Sequence, residues 1–152
     1  MSLKKKILIG IVALLVVIQF IKPERNEGEV FGINHISNVI TVPADVSKIL
    51  VVSCNDCHSN QTYYPWYANI QPVAWWLAGH VNDGKKHLNF SEFATYSAKK
   101  QNHKMEEIAE MIEKHEMPLG SYTLVHTDAV LNAEQQRILI DWAKANYKPG
   151  IE

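Results

Sequence analysis

Both cysteines of this chain fall inside one five-residue run, Cys54-Asn55-Asp56-Cys57-His58, and no feature limits its fold more. Two cysteines separated by two residues and followed at once by histidine have the spacing of c-type haem attachment. Each thiol adds to one vinyl group on the same porphyrin edge, and the adjacent imidazole comes under the iron as proximal ligand. A flat apolar macrocycle then has to be walled by the rest of the chain. Three other uses of the motif stay open. A thioredoxin-like redox pair needs a βαβ setting. A structural zinc site needs two further ligands, and although there are seven histidines, no His-x₃₋₅-His pair follows at the usual distance. The third is a chance occurrence with no bound group.

With 152 residues the chain has a one-domain length, and 47% apolar against 20% charged residues, with four Trp, six Tyr and four Phe, supply a real core. Disorder as the dominant state is excluded. The net charge of −1 leaves no basic excess to neutralise a phosphate backbone, so nucleic acid is not an expected partner.

The amino terminus carries a membrane signal. Lys4-Lys5-Lys6 precede Ile7 to Ile21, fifteen residues interrupted only by Gly10 and Gln19, before Lys22-Pro23-Glu24 ends the apolar character. Fifteen helical residues reach roughly 22 Å against a hydrocarbon core of roughly 30 Å, so a single span is marginal even with Leu3 and snorkelling Lys6 and Lys22. No small-residue cleavage pattern closes the segment, which predicts an uncleaved anchor over residues 1–22 with the lysines cytoplasmic and the rest exported. Four of the fifteen basic residues lie in that segment, leaving eleven against sixteen acidic ones, a charge of −5 for residues 23–152. The polar, Gly-containing stretch after the anchor reads as a tether over residues 23–42, and residues 43–152 as the haem-binding domain.

Within that domain the pattern is helical. Asp45 caps a helix from Val46 to Val52, Pro72 starts one from Val73 to about Asn82, and Asp83-Gly84 reads as its end. Asn89 or Ser91 opens the next turn. Met105, Ile108, Ala109 and Ile112 recur at helical spacing in a helix near Asn102 to Lys114, with Glu106, Glu107, Glu110 and Glu113 off that face. Asn132 and Gln135 make a capping-box start for a last helix to about Tyr147, whose inner face is Leu131, Ile138, Leu139, Trp142 and Ala143. No alternating strands and no internal repeat are visible, which predicts an all-α domain with long connections.

The order of helix, CxxCH, long middle, Met-Pro and C-terminal helix is similar to a small monohaem cytochrome c. More closely, Cys54-Asn55-Asp56-Cys57-His58-Ser59-Asn60, Tyr64-Pro65-Trp66-Tyr67, Ile70-Gln71-Pro72-Val73, His80-Val81, His87-Leu88-Asn89-Phe90-Ser91-Glu92 and Glu116-Met117-Pro118-Leu119 resemble the bacterial haem-binding-domain family of anchored or secreted proteins. The resemblance covers about residues 40–147. It implies one covalent haem c per chain, on Cys54, Cys57 and His58. Met117 is the first choice as second axial ligand of the iron, on the Met-Pro arrangement of cytochromes c that it resembles. His80, on a helical face with Val73, Trp76 and Leu77, is the rival. His126, His115, His87 or an open position are further alternatives. Tyr63, Tyr64, Trp66, Tyr67, Trp75 and Trp76 are expected to wall the porphyrin. The function expected is single-electron transfer with a redox partner protein, outside the bacterial cytoplasmic membrane and without enzymatic turnover. A peroxidase-like haem enzyme or a haem-based redox or gas sensor is the alternative, and a non-haem structural module the third reading.

Overall fold

Helical spacing and capping residues place seven α-helices in the computed structural model, which describes residues 1–150. The last two residues of the expected 43–152 domain lie outside the described range. The helices are α1 (Leu3–Ile18), α2 (Ala44–Ser53), α3 (Asn55–His58), α4 (Val73–His87), α5 (Ala98–Glu113), α6 (Gly120–Thr123) and α7 (Ala133–Asn146), with 3₁₀ turns at Ile36–Asn38, Trp66–Asn69, Phe90–Thr95 and Thr127–Ala129. Among the described residues the one extended pairing is an isolated antiparallel bridge between Glu27 and Gln61. The all-α expectation is therefore met.

The core is built by α2, α5 and α7. The stripe expected on α5 is buried, with Met105, Ala109 and Ile112 facing Leu139, Trp142 and Ala143 of α7, while Ile49 and Leu50 of α2 close one side. The capping box forms in full, with Asn132 Oδ1 accepting from Gln135 N–H and Gln135 Oε1 from Asn132 N–H, both at 2.9 Å. Trp142 satisfies its indole N–H on the Thr41 carbonyl at 3.0 Å, so its ring is buried without an unpaired donor.

Several boundaries differ from expectation: α5 opens at Ala98, capped by Ser97, instead of near Asn102, and α2 opens at Ala44 with Asp45 in its first turn instead of at the cap. The membrane-spanning helix expected over residues 1–22 is a sixteen-residue helix exposed from Leu3 to Val17, and among the described residues no helix is long and apolar enough to cross a membrane. At about 1.5 Å per residue it reaches about 24 Å. Gln19 stops it there: its side-chain N–H₂ donates to Leu15 O and Gln71 O, and its Oε1 accepts from Gln71 N–H at 2.9 Å. Ile21 O then accepts from Gln71 Nε2 at 3.1 Å and from Trp75 Nε1 at 2.8 Å.

The tether expected over residues 23–42 is bound along much of its length. Gly28 N–H donates to Asn60 O, Thr62 N–H to Asn26 O, and Ile36 is wholly buried in the core. Polar composition misled here because these residues pair their backbone with the loop after the CxxCH motif instead of with water.

Finally, α4 does not end at Asp83-Gly84 but runs on to His87. A Cβ built on Gly84 would meet the Cys57 carbonyl oxygen at 2.5 Å, so this glycine allows a close crossing of two helices and does not terminate one.

Candidate functional site

In the CxxCH run Cys54 is the junction that ends α2 and Asn55–His58 form α3, and local hydrogen bonds hold the run. Cys57 N–H and His58 N–H both donate to Cys54 O. Asp56 Oδ1 accepts from Tyr63 N–H and its Oδ2 from the Tyr122 hydroxyl, each at 2.8 Å. A carboxylate within the motif thereby ties it to the following loop and to α6. The Tyr122 hydroxyl is pushed well above the ordinary phenol range, first by burial and then by this bond to Asp56. From the far side α4 crosses so closely at Gly84 that the helix backbone lies against Cys57.

Both thiols are half-buried and unoxidised. Burial pushes Cys54 up to about 12, helped by its proximity to Cys57, and burial followed by the Asp56 charge pushes Cys57 up to about 11. They are protonated at neutral pH, unlike the low-pKa thiolates of thioredoxin-like redox pairs. A structural zinc site also lacks its ligands: among the described residues no three His, Cys, Asp or Glu side chains converge on a point. Haem asks for less, since the porphyrin nitrogens fill four iron positions and the protein supplies two.

His58 Nδ1 donates to the Leu88 carbonyl at 2.9 Å, and a carbonyl can only accept, so the proton sits on Nδ1 and Nε2 carries the lone pair. Metal-ligating imidazoles are oriented by this kind of bond. Burial lowers the affinity of His58 for a second proton, against the opposing pull of the Leu88 and Gly84 carbonyls. Its ring packs edge-on against buried Phe90 at 6.2 Å.

Two adjoining hollows open beside the thiols. The larger, of about 510 Å³, is walled on α4 by Trp76, Leu77, His80 and Val81, on the motif by Asp56 and Cys57, and opposite by Tyr63, Tyr67, Leu119, Tyr122 and His126. The smaller, of about 300 Å³, holds Cys54, Cys57, Met117 and Pro118, and shares Asp56, Cys57, Leu119 and Tyr122 with the larger.

Met117 and His80, the two ligands expected from sequence, thus flank the motif in separate hollows, and His58 lines neither. Of the expected aromatic wall, Tyr63, Tyr67 and Trp76 face the cleft, whereas Tyr64 accepts from Asn26 N–H and Trp75 bonds Ile21. Among the other histidines, His126 is in the cleft, and His87 and His115 are exposed. Asp56 and Tyr122 were not singled out by sequence, and Gly84 was read only as a helix end. Gly84 alone left a readable sign, lying one turn after His80 on the same face of a helix.

The residues present fit a haem: an apolar cleft begins at a cysteine, and one of its imidazole nitrogens, His80 Nε2, is buried without any partner. No curated protein matches the chain, and no solved structure does. The haem-binding domain family matches residues 13–145, nearly the whole sequence, and the chain therefore belongs to that family of haem-binding proteins.

Proposed function

We propose that this haem protein is a c-type electron carrier, with one haem joined through thioethers to Cys54 and Cys57 and with His58 as an axial ligand. One observation carries the proposal: Cys57 lines an apolar cleft, Cys54 and Cys57 together line the hollow that adjoins it, and the next residue is an imidazole already fixed in the tautomer that leaves Nε2 free. Each thiol adds across one vinyl double bond, sulfur to one carbon and proton to the other, so the attachment needs no oxidant. The bound group supplies an iron that changes charge by one electron. The chain's own residues hold and insulate it: Gly84 keeps α4 against the motif, Asp56 locks the motif to Tyr63 and Tyr122, and Leu77 and Val81 keep water from the cleft.

Electrons pass to and from a redox partner protein at the mouth, where Tyr63 and Trp76 are exposed. Attachment of the domain to the outer face of the bacterial cytoplasmic membrane is supported by the uncovered apolar surface of α1 behind Lys4, Lys5 and Lys6. A second reading, a peroxidase-like enzyme or a haem sensor, is favoured by one observation, the unpartnered His80 nitrogen in the cleft, which would serve as an acid–base group toward a molecule bound there.

The test is to express the full chain with haem maturation factors. The expected product gains the mass of one haem, keeps it in acidified acetone, and cycles between ferrous and ferric forms without consuming peroxide. A polypeptide of unmodified mass overturns the covalent attachment, and rapid peroxide turnover selects the enzyme reading.

A further inference from the structure

Two imidazoles line the large cleft, and they differ in what satisfies them. His126 Nε2 shares a 2.8 Å hydrogen bond with the Tyr67 hydroxyl, and the His126 ring stacks on Tyr122 at 4.2 Å with 16° between planes. His80 has an indole edge against its ring, Trp76 at 4.4 Å and 88°, and its Nε2 is the one buried side-chain nitrogen or oxygen without a hydrogen bond among the described residues. Buried polar atoms are nearly always paired, so an orphan inside a cavity marks the place of a missing partner.

Its position on α4 narrows that partner. His80 lies one turn before Gly84, and residues four apart share a helix face, so the face that touches Cys57 at Gly84 offers His80 to the hollow beside that cysteine. The surroundings are mostly apolar and aromatic, Asp56, bonded to Tyr63 and Tyr122, is the one carboxylate there, and among the described residues no lysine or arginine lines the cleft. A porphyrin carboxylate buried there would lack a cation, whereas an iron takes up a neutral nitrogen lone pair without adding net charge. Met117 has no comparable need. A thioether is content in apolar packing, and Met117 has that beside Pro118 and Leu119 in the smaller hollow.

We infer that His80 Nε2, not the Met117 sulfur, is the second axial ligand of the iron, which makes this a bis-histidine haem. The inference rests on the covalent haem proposed above. A bis-imidazole iron has a lower reduction potential than a His/Met one, so the carrier would serve a low-potential donor.

The experiment uses the full-length chain matured with haem and reads the ferric and ferrous absorption spectra with electron paramagnetic resonance. The wild type is expected to be low-spin without the weak red sulfur-to-iron band. Met117→Leu should leave that spectrum unchanged. His80→Ala should turn it high-spin and open it to carbon monoxide, and added imidazole should restore the low-spin form. Should the His80 variant fail to mature, His80→Met is the second probe, expected to create the sulfur band that the wild type lacks. A wild-type sulfur band abolished by Met117→Leu overturns the inference while leaving the covalent haem intact, as does a low-spin spectrum indifferent to His80. Protein without covalent haem overturns the attachment itself, and the mass alone distinguishes that failure.

Discussion

The two sides of the domain are finished to different degrees. Where α5 lies along α7, Met105, Leu139 and Ala143 are fully buried, and the polar atoms of Trp142 and Asn132 are paired. Where α3 meets α4, a cleft runs between aromatic walls, a buried nitrogen goes without a partner, and Tyr63 and Trp76 stand open to solvent at the rim. One side is completed by its own side chains. The other keeps an apolar cleft beside a cysteine and a buried nitrogen that its own side chains leave unpaired.

The sharpest way to break that contrast is to remove the attachment. Cys54→Ala with Cys57→Ala should abolish covalent haem entirely, melting the aromatic near-ultraviolet signal of the cleft while most far-ultraviolet helical signal persists. If the aromatic signal is untouched, the cleft is complete without the cofactor. On the packed side, Leu139→Ala should cost about 3 kcal/mol in denaturant unfolding through a cavity, with the haem spectrum unchanged. Gly84→Ala joins the two measures. A methyl group 2.5 Å from the Cys57 carbonyl forces the helices apart, with an expected stability loss of about 2 kcal/mol and a lower yield of haem-loaded protein. Stability lost with full haem loading would show that the crossing serves packing alone.

The smallest effect concerns pH. Burial holds His35 below its ordinary 6.5, so the folded chain keeps this ring neutral where the unfolded chain protonates it. Its contribution is complete above pH 6.5 and is lost as the pH falls through the folded-state value. Denaturant titrations from pH 7.5 to about 5.5 should show stability falling, and His35→Gln should flatten part of that slope. An identical slope in the variant would assign the titration to another group.

Much of the packed side was legible in the residues themselves. The periodic stripe of α5 and the Asn132/Gln135 box fix those helices locally, and local signals survive tertiary packing. On the cleft side the CxxCH motif, His80 and the aromatics Tyr63, Tyr67 and Trp76 were legible as residues, but not the way they pack together. Gly84 read as a stop because a helix-ending glycine and a crossing glycine look alike until the neighbour is known. The stretch after α1 read as a tether because nothing in its composition reveals that Asn26 and Gly28 pair with Thr62 and Asn60. Asp56 was passed over as filler between the cysteines, although Tyr122, sixty-six positions away, is its partner.

Because Gln19 and Ile21 are fastened to Gln71 and Trp75, the apolar helix has no slack where it joins the globule. These bonds tie the direction of α1 to that of α4 as a stiff outrigger. The angle between α1 and the aromatic mouth is thereby chosen by a pair of glutamines at the hinge, so loosening Gln71 would free the one from the other without touching a single residue of the pocket.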